Sequence, residues 1–458
     1  MTEEQKPTSD RLDSSRRDFL RTTGSAAAVA GVAAGSVGFP AILKGQGETK
    51  KLKVGLIGCG GRGTGAAAQA LAADDNVELH AMGDAFQDKA LLQLRVLAKD
   101  RAAAAKIGSD VQSGKNVFGG LDAYQKVMDT GVDVVLLTTP PGFRPQHFKE
   151  AISRGIHSFV EKPCATDVAG VKDFLETGKI AAEKGISVLC GFCYRYSDHG
   201  RELFEKRLPE GAIGAIRSVT SNYFANIVKP MPPESDRPEG MSDTEWQIRN
   251  WYNYTWLSGD GYVEQAIHKV DKMAWLMSTM TGNPKPIPTA CYALGGRQRP
   301  NNVCNTFDHY AVTYEWENGL RYHINWCQYG AGVDKSDEDH IVGETGEATF
   351  DIQGASISGP NAWTWRRPRT GARNMYQTEH DEFFADIRAG KRHADEEWVA
   401  HSTLLGIMAR MAAYSGKRIT WEDVINSDER LVPDPVDWAG ALPVRPMPIP
   451  GEGGPTEA

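Results

Sequence analysis

Lys53-Val54-Gly55-Leu56-Ile57-Gly58-Cys59-Gly60-Gly61-Arg62-Gly63 is the stretch whose reading decides the fold. Its first five residues form a short, mostly apolar run, hence a strand. The Ala-rich stretch from Arg62 to Ala73 is helical. Between them lies Gly58-x-Gly60-x-x-Gly63, a pattern that is weak alone and specific when a strand precedes it and a helix follows. Gly58 permits the tight turn, Gly60 lets backbone approach a pyrophosphate, and Gly63 lets helix and strand pack closely. The helix N-terminus, with Gly61 and Arg62 in its first turn, favours phosphate charge. A second strand, Val77 to Met82, ends at Gly83-Asp84, so Asp84 lies 21 residues beyond Gly63. A carboxylate there accepts both hydroxyls of an adenosine ribose and repels a 2′-phosphate. No arginine follows it immediately, so the loop reads as a site for NAD, with NADP the less favoured dinucleotide.

Working outward, the alternation continues. Asp88 to Ala105 is helical, Val132 to Leu137 a buried strand, Gln146 to Arg154 a helix with Gly155 as its stop. Ile156 to Val160 is a strand, Val168 to Lys184 a helix, and Ile186 to Cys190 a strand. Such alternation gives a parallel sheet with helices on both faces, an α/β Rossmann domain. After about Tyr196 the rhythm changes. Ala212 to Val219, Tyr310 to Trp316 and Tyr322 to Trp326 read as longer strands, the last two separated by the turn Asn318-Gly319, so a second, mostly antiparallel sheet is expected. Glu379 to Ile387 and Trp398 to Tyr414 return to helix. The domains are thus 51–190, a Rossmann domain, and 191–430, a substrate-binding and oligomerisation domain. Residues 1–50 precede them as signal and linker, and 431–458 follow as an irregular tail.

The chain has 458 residues, enough for two or three domains, and its net charge of −8 gives nucleic-acid binding no support. The seven cysteines, an odd number, form no disulfide framework, and Cys190-x-x-Cys193 sits in a strand-like run, so these are expected to be buried thiols. Near the N-terminus, Ser15-Arg16-Arg17-Asp18-Phe19-Leu20 precedes a mildly apolar run from Ala26 to Val37. Paired arginines before a weakly hydrophobic stretch are the pattern of a twin-arginine export signal, with Val32-Ala33-Ala34 a candidate cleavage site. The expectation is export of the folded protein, cofactor loaded, to the periplasm or another extracytoplasmic space. No stable membrane span is expected unless the signal is retained.

Three further motifs carry chemistry. Glu161-Lys162-Pro163 follows the strand Ile156–Val160, at a carboxyl end of the sheet, where such sheets bind ligands. A lysine there can hydrogen-bond a reacting hydroxyl, although alone the motif also reads as a surface Glu-Lys pair. In Glu264-Gln265-Ala266-Ile267-His268-Lys269-Val270-Asp271 the spacing puts Glu264, His268 and Asp271 on one helical face, apart from the apolar stripe Ile267, Val270, Ala274, Met277. That face points to a cleft or to water, and a histidine in it suits general base work. A lone histidine with two carboxylates is weak evidence for metal, and none is expected. Trp251-Tyr252-Asn253-Tyr254-Thr255-Trp256 offers aromatics with polar edges that suit sugar faces, and equally reads as core.

In this order and spacing the motifs resemble the Gfo/Idh/MocA family. Thr139-Pro140-Pro141, then His147, then Glu161-Lys162-Pro163 looks like the family's middle signature, and Glu264 through Asp271 like its catalytic helix. The resemblance covers roughly residues 51 to 421. It implies a Rossmann domain followed by an α/β domain with a large open sheet, commonly used for dimers or tetramers. It implies Lys162 and His268 as the catalytic pair, with Glu264, where many members carry Asp, as the third position. Thr139, Pro140, His147 and Glu161 are implied at the cofactor, and Arg195 near nicotinamide or substrate. Asp271, from the helical face, and Trp256, from the aromatic run, are the further candidate substrate contacts. The expected activity is hydride transfer from a sugar, polyol or sugar derivative to tightly held cofactor. Redox-assisted glycoside cleavage with no net redox change and a non-catalytic sugar-binding protein stay open as alternatives.

Overall fold

A computed structural model describes residues 50–299, 304–330, 332–368 and 373–452. The arginine pair and apolar run of the export signal lie outside the described residues. The first sheet has six strands in the order β3-β2-β1-β4-β5-β6, all parallel. They are β1 (Leu52–Ile57), β2 (Val77–Asp84), β3 (Val117–Gly119), β4 (Val134–Leu137), β5 (His157–Val160) and β6 (Val188–Cys190). Every residue of β4 is buried, as a strand covered on both faces requires. The helix Arg144–Ser153 stops as expected, with Gly155 at φ +76°.

Two expectations in this half change. One helix was expected over 88–105, but there are two, Gln87–Leu97 and Arg101–Ala104. The Asp100 carboxylate accepts from Ala102 and Ala103 N–H and so starts the second. The strand-like run to Tyr196 is a strand only over β6, and Cys193–Tyr196 coils into a 3₁₀ turn. All seven cysteines are buried and free.

The second sheet has eight strands in the order β14-β13-β12-β11-β7-β10-β9-β8. They are β7 (Ile216–Asn226), β8 (Ala290–Gly296), β9 (His309–Glu315), β10 (Arg321–Tyr329), β11 (Asp339–Gly343), β12 (Glu347–Phe350), β13 (Ala355–Ser358) and β14 (Trp363–Thr364). Only β7 with β10 is parallel; the other pairs are antiparallel. β7 begins four residues later than the expected strand at Ala212, because Gly214 (φ +72°) turns the chain first. Along β10, Tyr322, Ile324 and Trp326 are buried and alternate with half-buried His323 and Asn325. One face therefore packs on helices, including Ile267–Thr281 and Glu396–Ser415, and the other is open.

The chain then returns to its first half. The helix Met375–Ala389 packs against Gly61–Ala73, and its Phe383, Phe384 and Ile387 join the core around β1 and β2. Val188 N–H donates to the His393 carbonyl (2.9 Å), and Asp395 N–H donates to that of Val188 (3.1 Å). Residues 426–452 form neither helix nor strand and run back across the surface.

Candidate functional site

Each glycine of the loop shows its purpose in what a methyl group would meet. Gly58 has φ +96°, and a Cβ there would lie 2.6 Å from the Thr138 carbonyl carbon. At Gly63 it would lie 2.1 Å from the Gly58 oxygen and 2.5 Å from Thr138 Oγ1. Gly60 and Gly61 face open space instead. No side chain caps the helix they begin, so its positive end stays available to an anion. All four line a cleft of about 540 Å³ with Asp84, Thr139, Pro140, His147 and Glu264. Open backbone at the uncapped helix end, an acid at the tip of β2 and a cleft of this size fit a dinucleotide.

Asp84 also holds the loop. Its carboxylate accepts from the N–H of Cys59 (2.7 Å) and of Phe86 (3.0 Å), leaving lone pairs for ribose hydroxyls. Thr139 Oγ1 lies 3.2 Å from His147 Nδ1, and the imidazole stacks on Tyr124 at 4.2 Å. Burial, with Arg144 nearby, pushes His147 down to about 3, so its ring is neutral.

Arg62 and Glu161 prove to be one unit. Arg62 Nε donates to Glu161 Oε1 at 2.5 Å and Nη2 to Glu379 Oε1 at 3.0 Å. Burial would raise Glu161, but Arg62, Lys162 and Arg144 outweigh it and hold the carboxyl below the usual carboxylate range. The motif after β5 is thereby fastened to the glycine loop. The next residue reaches the other way: Lys162 Nζ donates to the Glu264 carbonyl (2.6 Å) and carboxylate (3.3 Å). His268 stands close by, half-buried, edge-on to Tyr194 at 5.4 Å, its Nδ1 buried with no protein partner. Burial, then the charges of Lys162, Lys272 and Lys269, drive its pKa far down, so the imidazole is neutral, with a lone pair free but reduced basicity. Glu264 lines the cleft itself; Lys162 and His268 stand beside it, off the lining.

Three expected substrate contacts, Asp271, Arg195 and Trp256, are engaged by protein partners. The expected helical face does not point to water as a unit, because Tyr262–Ala266 is a wider π-helical turn and the α-helix starts only at Ile267. Asp271 is buried; its carboxylate takes Arg195 Nε (2.9 Å) and Nη2 (2.9 Å) and the Ser402 hydroxyl (2.9 Å). The Arg195 guanidinium lies 4.0 Å over the Trp398 ring, so Arg195 and Asp271 brace the helix and neither lines the cleft. Trp256 is also buried, its Nε1 donating to Gln247 at 2.7 Å and its ring edge-on to Phe143.

Other residues take the places next to the cleft. Tyr252 lines it, and its hydroxyl accepts from Gln328 Nε2 (2.7 Å), which also donates to Gln265 Oε1 (2.7 Å). The aromatic run pointed to Tyr252, whereas Gln328 on β10 has no local signal. Phe86, Lys89, Val228, Ile248 and Trp251 complete the lining. Among the described residues, no group of three or more His, Cys, Asp or Glu is placed to hold a metal ion, and no helix is long and apolar enough to cross a membrane.

Residues 52–192 match the model of an oxidoreductase family with an NAD-binding Rossmann fold. The chain is 26% identical over 259 residues to inositol 2-dehydrogenase 3 of Saccharopolyspora erythraea, a match spanning 54% of this chain and 61% of that protein. It is 25% identical over 280 residues to glycosyl hydrolase family 109 protein 2 of Shewanella sp. (strain ANA-3), spanning 57% of this chain and 58% of that one. It thus spans about three-fifths of the length of either relative. The WlbA dehydrogenase from Bordetella pertussis, solved with NADH and UDP-GlcNAcA, superposes with a TM-score of 0.59 at 21% identity, covering 81% of this chain and 99% of that one. That likeness shows the shared two-domain fold.

Proposed function

We propose, because this chain belongs to the Gfo/Idh/MocA oxidoreductase family, that it oxidises a carbinol of a sugar, polyol or sugar derivative with NAD as its resident cofactor. The observation that carries this is Lys162 bonded to Glu264 beside a neutral His268, where the dinucleotide cleft meets the second domain. NAD supplies the hydride acceptor when bound. The chain's own part is proton handling and orientation. Lys162, once substrate competes with Glu264 for its ammonium, polarises the reacting oxygen. His268 takes the hydroxyl proton, which its neutral state permits. Asp84, with no 2′-phosphate partner adjacent in sequence, supports NAD over NADP.

The test is to denature the purified protein, identify the released dinucleotide and its redox state, and follow NADH absorbance with a panel of sugars and polyols. Bound NAD and an absorbance change lost in Lys162→Ala and His268→Ala are expected. Full turnover in both variants, or no redox change with any sugar, overturns the assignment, the former leaving a binding role for the site.

A second reading, redox-neutral glycoside cleavage, is favoured by the likeness to a family 109 glycosyl hydrolase. Release of an aryl group from a glycoside without added NAD, with solvent deuterium entering beside the oxidised carbon, would select it. The pair Arg16-Arg17 supports export by the twin-arginine route. Replacing both by Lys should keep the protein in the cytoplasm, and unchanged fractionation would refute export. The open face of the eight-stranded sheet supports a homodimer or homotetramer, which light scattering would decide.

A further inference from the structure

The chain between β7 and the short helix Thr255–Ser258 makes an excursion over the Rossmann half. It carries the helix Asp243–Arg249 and brings Val228, Ile248 and Trp251 to the cleft, which Phe86 and Leu121 line from the Rossmann side. The Arg249 guanidinium sits 3.9 Å over the Phe86 ring, and Phe86 N–H is one of the two that Asp84 holds. Through Phe86 this wall reaches the ribose carboxylate.

The tail of the chain fastens it. Ser242 Oγ donates to the Trp438 carbonyl (2.5 Å), Gln247 Nε2 to the Leu442 carbonyl (2.6 Å), and Leu442 N–H to Asp243 Oδ2 (3.0 Å). The Trp438 ring packs on Phe86 at 5.6 Å. Leu431, Val432, Val436, Trp438 and Leu442 share one apolar cluster with Phe86, Ile248 and Trp251. The strap is anchored in the core, where buried Arg410 pairs with Glu429 and Leu431 N–H donates to Asp167 Oδ2 at 2.6 Å.

We propose that the excursion and the strap form a clasp over the adenosine half of the dinucleotide, with Ile248 and Trp251 against the adenine ring, so that the cofactor stays through turnover instead of exchanging. The proposal rests on the reading of this cleft as the NAD site. Retention by such a clasp is kinetic. Apolar side chains on both sides of the ring favour its burial. The ring leaves or enters only when the excursion lifts, and lifting it breaks the three strap hydrogen bonds together with the Trp438 contact, which slows exchange.

The test uses the purified chain loaded with radiolabelled NAD and chased with unlabelled NAD, the label retained being read after gel filtration. Wild type should hold its label. Trp438→Ala should lose it about tenfold faster or more. Asp243→Asn, a milder change at the same clasp, should do the same if Trp438→Ala does not fold. Equal exchange in wild type and variants, or a wild type that exchanges within the dead time, overturns the clasp while leaving the NAD site intact. A wild type that takes up no label and also releases no dinucleotide on denaturation would refute the site itself.

Discussion

At the scale of single residues, the glycine loop makes the sharpest demands. A Cβ at Gly63 would run into the Gly58 carbonyl, which belongs to the turn and cannot swing aside. Gly63→Ala should therefore force helix and strand apart, costing about 1–3 kcal/mol of stability and weakening the dinucleotide site. Gly61→Ala, whose Cβ meets nothing within 4 Å, should leave the fold intact and hinder only the close approach of phosphate. Thermal unfolding with and without NAD separates the two. A Gly63→Ala protein as stable as wild type, with the same NAD-induced shift, would show that close packing is not what this glycine secures. Such positions are legible in sequence because their constraint is local. Arg195, Asp271 and Trp256 are not, because whether a polar or aromatic side chain faces a cleft or the core depends on partners such as Trp398, Ser402 and Gln247 on other elements.

At the scale of elements, Arg62 joins three segments: the helix Gly61–Ala73, the end of β5 through Glu161, and the helix Met375–Ala389 through Glu379. Both carboxylates are buried, and burial pushes Glu379 well above the usual carboxylate range in spite of Arg62. Arg62→Met would leave them without their shared cation, a loss of about 3 kcal/mol by analogy with other broken buried pairs. With Arg62 gone, folded pKa values above the unfolded ones mean that the folded state binds more protons, so the deficit should grow as pH rises from about 5 to about 8. Urea unfolding at both ends of that range measures it, and a pH-independent deficit would mean that packing alone was lost. Most of the strand and helix order in the Rossmann half was readable from alternation, but the three-residue β3 and the seven-residue helix Ala123–Asp129 were not, being too short to show a period. Nor was the role of the last helices. Arg62 and Glu379 lie 317 positions apart, and Gln247 and Leu442 195 apart, so no local pattern signals either contact.

At the scale of the whole molecule, the chain's return to the sixth strand of the Rossmann sheet is secured by one charged histidine. His393 precedes Asp395, and both backbones bond to Val188. Its Nδ1 lies 3.0 Å from Asp386, and its Nε2 lies 3.2 Å from Asp395 and 3.1 Å from the Tyr196 hydroxyl. Burial opposes a charge there, but hydrogen bonds and attraction from Asp395 and Asp386 win and push the imidazole up to about 9. Since the folded pKa exceeds the unfolded one, this site stabilises the fold fully below about pH 6.5, and that contribution is lost as pH rises through about 9. The gap corresponds to about 3 kcal/mol. Because the ring clamps the return of the chain onto β6, its deprotonation should loosen the C-terminal helices from the Rossmann half before the sheet itself gives way. Stability measured across this window in wild type should decline where His393→Gln, lower at neutral pH, stays flat. Hydrogen exchange should show the earliest loss of protection at Val188 and Asp395. Parallel pH profiles for the two proteins would place the alkaline sensitivity elsewhere and reduce His393 to a packing residue.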